Sequence, residues 1–332
     1  MSSPRVLAAV CAVASLSVAA CHRQAQMVMD EHMAHMAAGD MAAPATVESN
    51  QQGNSALPPS ANQAAARLSA SPWHGEWVKV AWRPGSSDSL MAWIVYPSTT
   101  NAHTPVIVVI HEIFGLQTWI RGVADQAAAD GFIAIAPDLL SRIRGGPTTD
   151  ELKGDSASKL IRGLSIADRN EGIAAVARYA MSQASAAPKY SVIGFCWGGG
   201  SVWDHVINGG APGLSGGVAF YGLPYMNGAV PNGDSLTKIK VPVMMFNGAK
   251  DARTGAGMPG VDSAMKALNK SYYGKNFAGA IHGFVRAQDD PRQPRAQETQ
   301  ADVDAEEQAN LAAVKEAWPQ TVNFLKKNMG MK

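Results

Sequence analysis

The chain has 332 residues, of which 46% are hydrophobic, 17% charged and 7% aromatic, enough apolar material for a sizeable core and too much for a chain disordered throughout. Its 28 Lys and Arg balance 27 Asp and Glu to a formal charge of +1, with no basic block of the kind that tracks phosphates, so nucleic acid is not an expected partner. Three cysteines, Cys11, Cys21 and Cys196, are too few for a disulfide framework.

Residues 1–20 read as a signal peptide. Arg5 is followed by an apolar run from Val6 to Ala20, shorter than the roughly 20 residues of a membrane span but suited to a signal sequence. The run ends Val18-Ala19-Ala20-Cys21, which resembles the lipobox of bacterial lipoprotein signals; an ordinary secretory signal cut at the same Ala-Ala is the plainer alternative. The resemblance implies a lipid on Cys21, membrane attachment through it, and a periplasm-facing place in the bacterial cell envelope. His22 after the cysteine, instead of Asp, leans toward the outer membrane. Cys196 is then the only thiol left in an oxidising compartment, without a structural partner.

Residues 21–71 are poor in large apolar side chains and rich in Ala, Gln, Ser, Asn and Pro, the composition of a flexible tether. Within it Met27, Met29, His32, Met33, His35, Met36 and Met41 offer soft ligands that suit copper. With no ordered scaffold to fix their geometry, the tract reads first as low complexity, and no metal is assigned to it.

From residue 72 to 332 the composition is that of one folded domain. Trp77–Trp82 and Leu90–Tyr96 alternate about Pro84-Gly85-Ser86-Ser87-Asp88, the pattern of an antiparallel hairpin at a sheet edge. Val106–Ile110, Phe132–Ala136, Ser191–Gly194, Gly217–Tyr221 and Val241–Phe246 are continuously apolar, as strands buried on both faces of a parallel sheet must be. Helical stretches are expected near 118–130, 149–183, 198–208, 256–269 and 298–328. The alternation predicts an α/β domain with a doubly wound, mostly parallel sheet, whose reactive groups collect at the carboxyl ends of the strands.

Directly after Val192-Ile193 comes Gly194-Phe195-Cys196-Trp197-Gly198-Gly199-Gly200, a nucleophile elbow with cysteine in the serine place. A buried cysteine in a glycine-rich turn is the plainer reading; the strand before and helix after favour the elbow. The helix N-terminus stabilises a thiolate. An acid and then a histidine should follow at later strand ends. Asp251 follows the run to Phe246, and His282 follows Asn276–Ile281. Asp262 competes for the acid role but falls inside a helical stretch, while His74, His103 and His205 read as structural or solvated. After Val106–Ile110 comes His111-Glu112-Ile113-Phe114-Gly115. Here an α/β-hydrolase supplies one oxyanion-hole N–H, on Ile113, the other being that of Trp197 after the nucleophile. From composition alone Glu112 is a solvated loop carboxylate.

His111–Gly115, Pro137-Asp138-Leu139-Leu140-Ser141-Arg142, the Gly-Phe-Cys-Trp-Gly-Gly elbow, Gly248–Asp251 and His282-Gly-Phe-Val-Arg286 together resemble the dienelactone hydrolase (carboxymethylenebutenolidase) family over roughly residues 75–328. The resemblance implies an α/β-hydrolase fold and a Cys196–Asp251–His282 triad. It also implies that Glu112 pairs with the resting thiol, and that Arg142 and Arg286 bind a substrate carboxylate. The expected activity is hydrolysis of a small-molecule ester or lactone through a thioester acyl-enzyme, with neither metal nor organic cofactor. A broad carboxylesterase is the first alternative, and a tethered metal-binding or redox-sensing lipoprotein with an inactive hydrolase fold the second. The envelope signal, Gly145-Gly146-Pro147 and the loop Gln288–Gln297 depart from cytoplasmic members and leave the substrate open. The oligomeric state is open too, a monomer being admissible.

Overall fold

The segment Thr-Pro-Val-Ile-Val-Val-Ile has no polar side to offer solvent. In the computed structural model of the chain, which describes residues 55–331 apart from 99–102, 153, 228–229 and 290, it is a strand buried from end to end. The strands are β1 (His74–Ala81), β2 (Ser89–Tyr96), β3 (Thr104–Ile110), β4 (Ile133–Asp138), β5 (Ala186–Phe195), β6 (Leu214–Phe220), β7 (Met226–Asn227), β8 (Val230–Pro231), β9 (Val243–Gly248) and β10 (Tyr272–Phe277). Eight of them form one sheet in the order β1-β2-β4-β3-β5-β6-β9-β10, and β7 and β8 pair separately. The hairpin β1–β2 and the β2–β4 pair are antiparallel, while every other pair in the large sheet is parallel.

Helices α1 (Ala64–Ser69), α2 (Thr118–Ala129), α3 (Ser141–Arg144), α4 (Gly154–Arg162), α5 (Ile166–Met181), α6 (Trp197–Ile207), α7 (Gly233–Thr237), α8 (Thr254–Ala267) and α9 (Gln300–Met329) surround the sheet. Because successive strand residues point to opposite faces, Val106, Val108 and Ile110 join Ile173 and Val176 of α5, Val202 and Val206 of α6, and Val261 and Met265 of α8 in one core. Helices α2 and α9 lie against the sheet as well, joined where Trp318 Nε1 donates to Asp130 at 2.9 Å. A doubly wound sheet in one domain is the architecture the alternation of elements predicts.

Several boundaries differ from the sequence reading. The single helix expected over 149–183 is two, α4 and α5, because Ser165 caps α5 by accepting from the Asp168 N–H at 3.0 Å and so starts a new helix. The strand expected over 276–281 is displaced to β10, and turns fill the stretch before His282.

The tether does not extend to residue 71. Residues 57–60 are buried, α1 follows them, and Ser71 donates to Asp125 at 2.5 Å. Arg67 bonds the Leu57 carbonyl and Gln126, both at 2.6 Å. Proline and alanine, which read as linker composition, here pack against α2. The signal peptide, Cys21 and the Met/His tract lie outside the described residues.

Ile107 is fully buried and Ile143 is 45% exposed. Ile107→Ala is expected to cost about 2–5 kcal/mol, a core truncation, and Ile143→Ala within about 0.5 kcal/mol, read as shifts in the urea midpoint.

Candidate active site

The site begins with a backbone constraint. Cys196 leaves β5 with φ +56° and ψ −114° and caps α6, a left-handed conformation that a side-chain-bearing residue adopts only where the surroundings enforce it. They do so through two glycines. A Cβ on Gly194 would stand 2.2 Å from the Gly198 carbonyl oxygen, and one on Gly198 would stand 2.5 Å from those of Ile110 and His111. The elbow therefore presses against the end of β3, and only glycine permits that approach. The Cys196 N–H is held by the Phe220 carbonyl at 3.0 Å, and the residue is 3% exposed.

His282 is brought to this cysteine from the turns after β10. Its Nδ1 lies 2.5 Å from Asp251 Oδ2, and the same ring interacts electrostatically with Cys196. Burial disfavours the charged ring. Charge on Cys196 and the hydrogen bond to Asp251 outweigh burial and push the imidazole up to about 10. Asp251 is itself fixed: its Oδ1 accepts the Arg253 and Thr254 N–H groups, each at 3.0 Å, and its Oδ2 accepts the Thr254 hydroxyl. Burial raises the Asp251 carboxyl, but the bond to His282, that ring's charge and the Thr254 donors hold it well below the usual range. A carboxylate and an imidazole are thus hydrogen-bonded, and a thiol acts on the same ring, with the three groups following three different strands. Asp262, the competing acid, instead accepts from the Tyr272 hydroxyl at 2.7 Å.

Glu112 is 3% exposed, far from the solvated carboxylate that composition suggests. Its Oε2 is 3.8 Å from Arg286 Nε, and Arg286 also lies over the Phe114 ring at 5.6 Å. Ile113 is buried. Trp197 is the first residue of α6, so its N–H is one of the donors that a helix leaves without an intrahelical acceptor.

His111 joins these parts. Its Nε2 accepts the Leu139 N–H at 3.2 Å, which leaves Nδ1 to donate to the Glu112 carbonyl at 2.6 Å. Burial keeps the ring neutral, and it stacks on Trp197 at 5.5 Å between centroids and 11° between planes. The loop carrying Glu112 and Ile113 is so tied to β4 and to the elbow.

The structure does not bring Arg142 to Arg286. Its Nε pairs with Asp88 at 2.6 Å, a second nitrogen lies 3.6 Å from Asp168, and its guanidinium covers the Trp82 ring at 4.5 Å. Short helix α3 turns the side chain toward the β1–β2 hairpin, and two carboxylates occupy the fork that a substrate carboxylate would need. The expectation that Arg142 and Arg286 share one anion site is corrected: Arg142 is held by Asp88 and Asp168, and Arg286 lies by Glu112. Of the other histidines, His74 pairs with Glu76 at 3.5 Å on the edge strand, His103 is an exposed turn residue, and buried His205 meets the Tyr190 hydroxyl at 2.8 Å.

Tyr221 went unnoticed in the sequence, although it ends the continuous run 217–221. It is fully buried with φ +39°, packs 4.9 Å from the His282 ring, and its hydroxyl has no hydrogen-bond partner among the described residues. Burial, with Glu112 and Cys196 adding, raises that phenol well above its ordinary value while Arg286 opposes them. A polar aromatic just before a glycine at the end of a buried strand was the signal available. Thr254 was legible as a hydroxyl three residues beyond the acid at a helix start. No group of three or more metal-ligating His, Cys, Asp or Glu side chains occurs among the described residues.

An open, mostly parallel sheet with its reactive side chains at the strand ends and a strained strand-to-helix turn at the nucleophile position defines an α/β-hydrolase. Comparison with known proteins narrows the class. Residues 90–329 match the dienelactone hydrolase family. The "Putative carboxymethylenebutenolidase" of Salmonella typhimurium is 28% identical over 193 residues, 56% of this chain and 68% of that protein. The mouse protein named carboxymethylenebutenolidase homolog is 28% identical over 191 residues, 54% of this chain and 70% of its own. Among solved structures, a dienelactone hydrolase-like promiscuous phosphotriesterase from metagenomic libraries superposes with a TM-score of 0.54 at 22% identity, over 76% of this chain and 98% of that one. This likeness bears on the fold alone. The chain belongs to the dienelactone hydrolase family, and is a hydrolase of the carboxymethylenebutenolidase-like kind.

The His282–Asp251 pair sets a pH dependence. A histidine raised to about 10 in the folded state, from about 6.5 unfolded, contributes stability that is complete below about 6.5 and lost as pH rises toward 10. Asp251 is lowered, so its contribution is present above about 4 and lost as pH falls. The stability of the protein relative to His282→Gln is expected to be largest between about pH 4 and 6.5 and to shrink steadily above that. Urea midpoints of the two proteins across pH 4–10 check this, and a gap that widened with pH would contradict it.

Proposed function

We propose that the protein hydrolyses esters or lactones that carry a carboxylate, using Cys196 as nucleophile and a thioester acyl-enzyme. The observation that carries this reading is the hydrogen-bonded Asp251–His282 pair, whose ring interacts with Cys196 on the strained elbow, together with the Glu112–Arg286 pair. The Cys196 thiolate attacks the carbonyl carbon, and the oxyanion takes hydrogen bonds from the Ile113 and Trp197 N–H groups. Collapse breaks the ester C–O bond, and the leaving oxygen takes the proton held on His282. Water then attacks the thioester, gives a proton to His282, and releases the acid and the thiolate. Asp251 holds the ring in its productive tautomer and stabilises the imidazolium. A thiolate is also a good leaving group, which favours activated esters and enol-lactones over amides.

Arg286 supports the substrate class. A half-buried guanidinium beside a buried carboxylate is a ready binding place for a second carboxylate, whose arrival would draw the arginine from Glu112. Purified protein is expected to turn over a dienelactone, and Cys196→Ala to lower kcat/KM by at least about a thousandfold. Arg286→Ala is expected to raise KM about ten- to a hundredfold for the carboxylate-bearing lactone, as loss of a charge-assisted hydrogen bond does, with little change for p-nitrophenyl acetate. Equal effects on both substrates would make the protein a general carboxylesterase.

The leader motif supports a place for this activity: a lipid on Cys21 at the periplasmic face of the envelope. Metabolic labelling with a radioactive fatty acid is expected to mark the full chain but not Cys21→Ala; unlabelled wild type would leave only a secretory signal.

A further inference from the structure

The turns after β10 carry both His282 and Arg286, yet residues 281–289 contain neither helix nor strand. Their backbone turns on Gly283 at φ +77° and on Asp289 at φ +53°; the Gly283 carbonyl accepts the Arg286 and Ala287 N–H groups at 2.9 and 3.0 Å and Phe284 and Val285 are buried, and a run of turns is held further where a neighbouring segment braces it. The brace is the segment 57–63. The Ala61 N–H donates to the Arg286 carbonyl at 2.9 Å, Gln288 Nε2 donates to the Pro58 carbonyl at 2.9 Å, and Gln63 Nε2 reaches Asp289 at 3.3 Å.

The same segment is anchored to the body on its other side. Trp119 Nε1 donates to the Pro59 carbonyl at 2.9 Å, and a Cβ on Gly122 would come within 2.7 Å of Pro59 Cγ. Trp119 in turn stacks edgewise on Phe195, next to the nucleophile, at 5.1 Å. The segment lies before residue 90, where the family match begins.

We propose that residues 57–63 are a specificity-determining brace: Pro58, Pro59 and Ala61 act as positioning residues that hold Arg286 where it reads a substrate carboxylate. The proposal rests on the carboxylate-reading role given to Arg286. A displaced guanidinium loses its directional bonds to a planar anion, whereas Cys196 at the end of β5, the Trp197 N–H on α6 and the Ile113 N–H after β3 stand outside these turns, and His282, at their start, is held by its own bond to Asp251. Loosening the brace therefore acts on KM for carboxylate-bearing substrates and leaves the neutral-ester reaction alone.

The test uses the full chain with Gly122→Ala, which adds the one atom that collides with Pro59 and favours the helix it sits in, and with Gln288→Leu, which removes the bond to Pro58 at similar size. Each variant is expected to raise KM for the dienelactone about fivefold or more with kcat within about twofold, and to leave both constants for p-nitrophenyl acetate unchanged. Pro59→Ala in the Gly122→Ala background removes the colliding atom and is expected to restore the lactone KM. Equal losses on both substrates, or no loss on either, would overturn the proposal. Arg286→Ala is measured alongside. If it discriminates between the substrates and the brace variants do not, the brace alone is refuted; if it does not discriminate, the carboxylate reading fails and the brace with it.

Discussion

One tight crossing governs the site: β5 must turn into α6 while touching the end of β3. Cys196 takes a left-handed backbone there, and Gly194 and Gly198 are side-chain-free because carbonyl groups occupy the space a Cβ would need. That contact sets the thiol above the sheet and turns the Trp197 N–H outward at the head of a helix. It also fixes the distance from the nucleophile to the loop of Glu112 and Ile113. The buried parallel core of β3, β5 and β6 holds the turn closed, since relaxing it would pull apart strands that are packed on both faces.

Around that turn the structure places charges where water cannot screen them. Glu112 and Asp251 are both nearly sealed from solvent, and each has a cationic or protonatable partner within the site, Arg286 for one and His282 for the other. A buried carboxylate costs much unless it is paired and hydrogen-bonded, so each partner holds the other in position. The two partners come from one short run of turns, His282 to Arg286. His282 is tied to Asp251 and Arg286 lies beside Glu112, so the two ends of that run are held by separate contacts.

Much of this was legible in order and type. Strands without alternation announced a sheet covered on both faces, and Cys196, Asp251 and His282 in that order after strands announced where polar groups converge, because each of those signals is local. What misled was also local. Arg142 sits in a motif shared with the family, but nothing in its own neighbourhood reveals that Asp88 and Asp168, distant in sequence, close around it. Glu112 looked solvated because a carboxylate in a loop usually is, and the residue that makes its burial tolerable lies far along the chain. The linker-like composition before residue 72 carried no sign of docking, since prolines pack as readily as they extend when a glycine opposite leaves room.

The sequence by itself determined the class of fold and the strand-to-helix turn at Cys196, and it pointed to Asp251 and His282 at later strand ends. These depend on hydrophobic periodicity and on residues adjacent in the chain. Only the tertiary structure decided which arginine faces the site, that Tyr221 turns its hydroxyl inward, that His111 is neutral with its proton on Nδ1, and that residues 57–71 belong to the folded body. Those facts depend on which groups meet across the fold, and a buried polar atom's partner is set by packing between elements that the sequence keeps far apart.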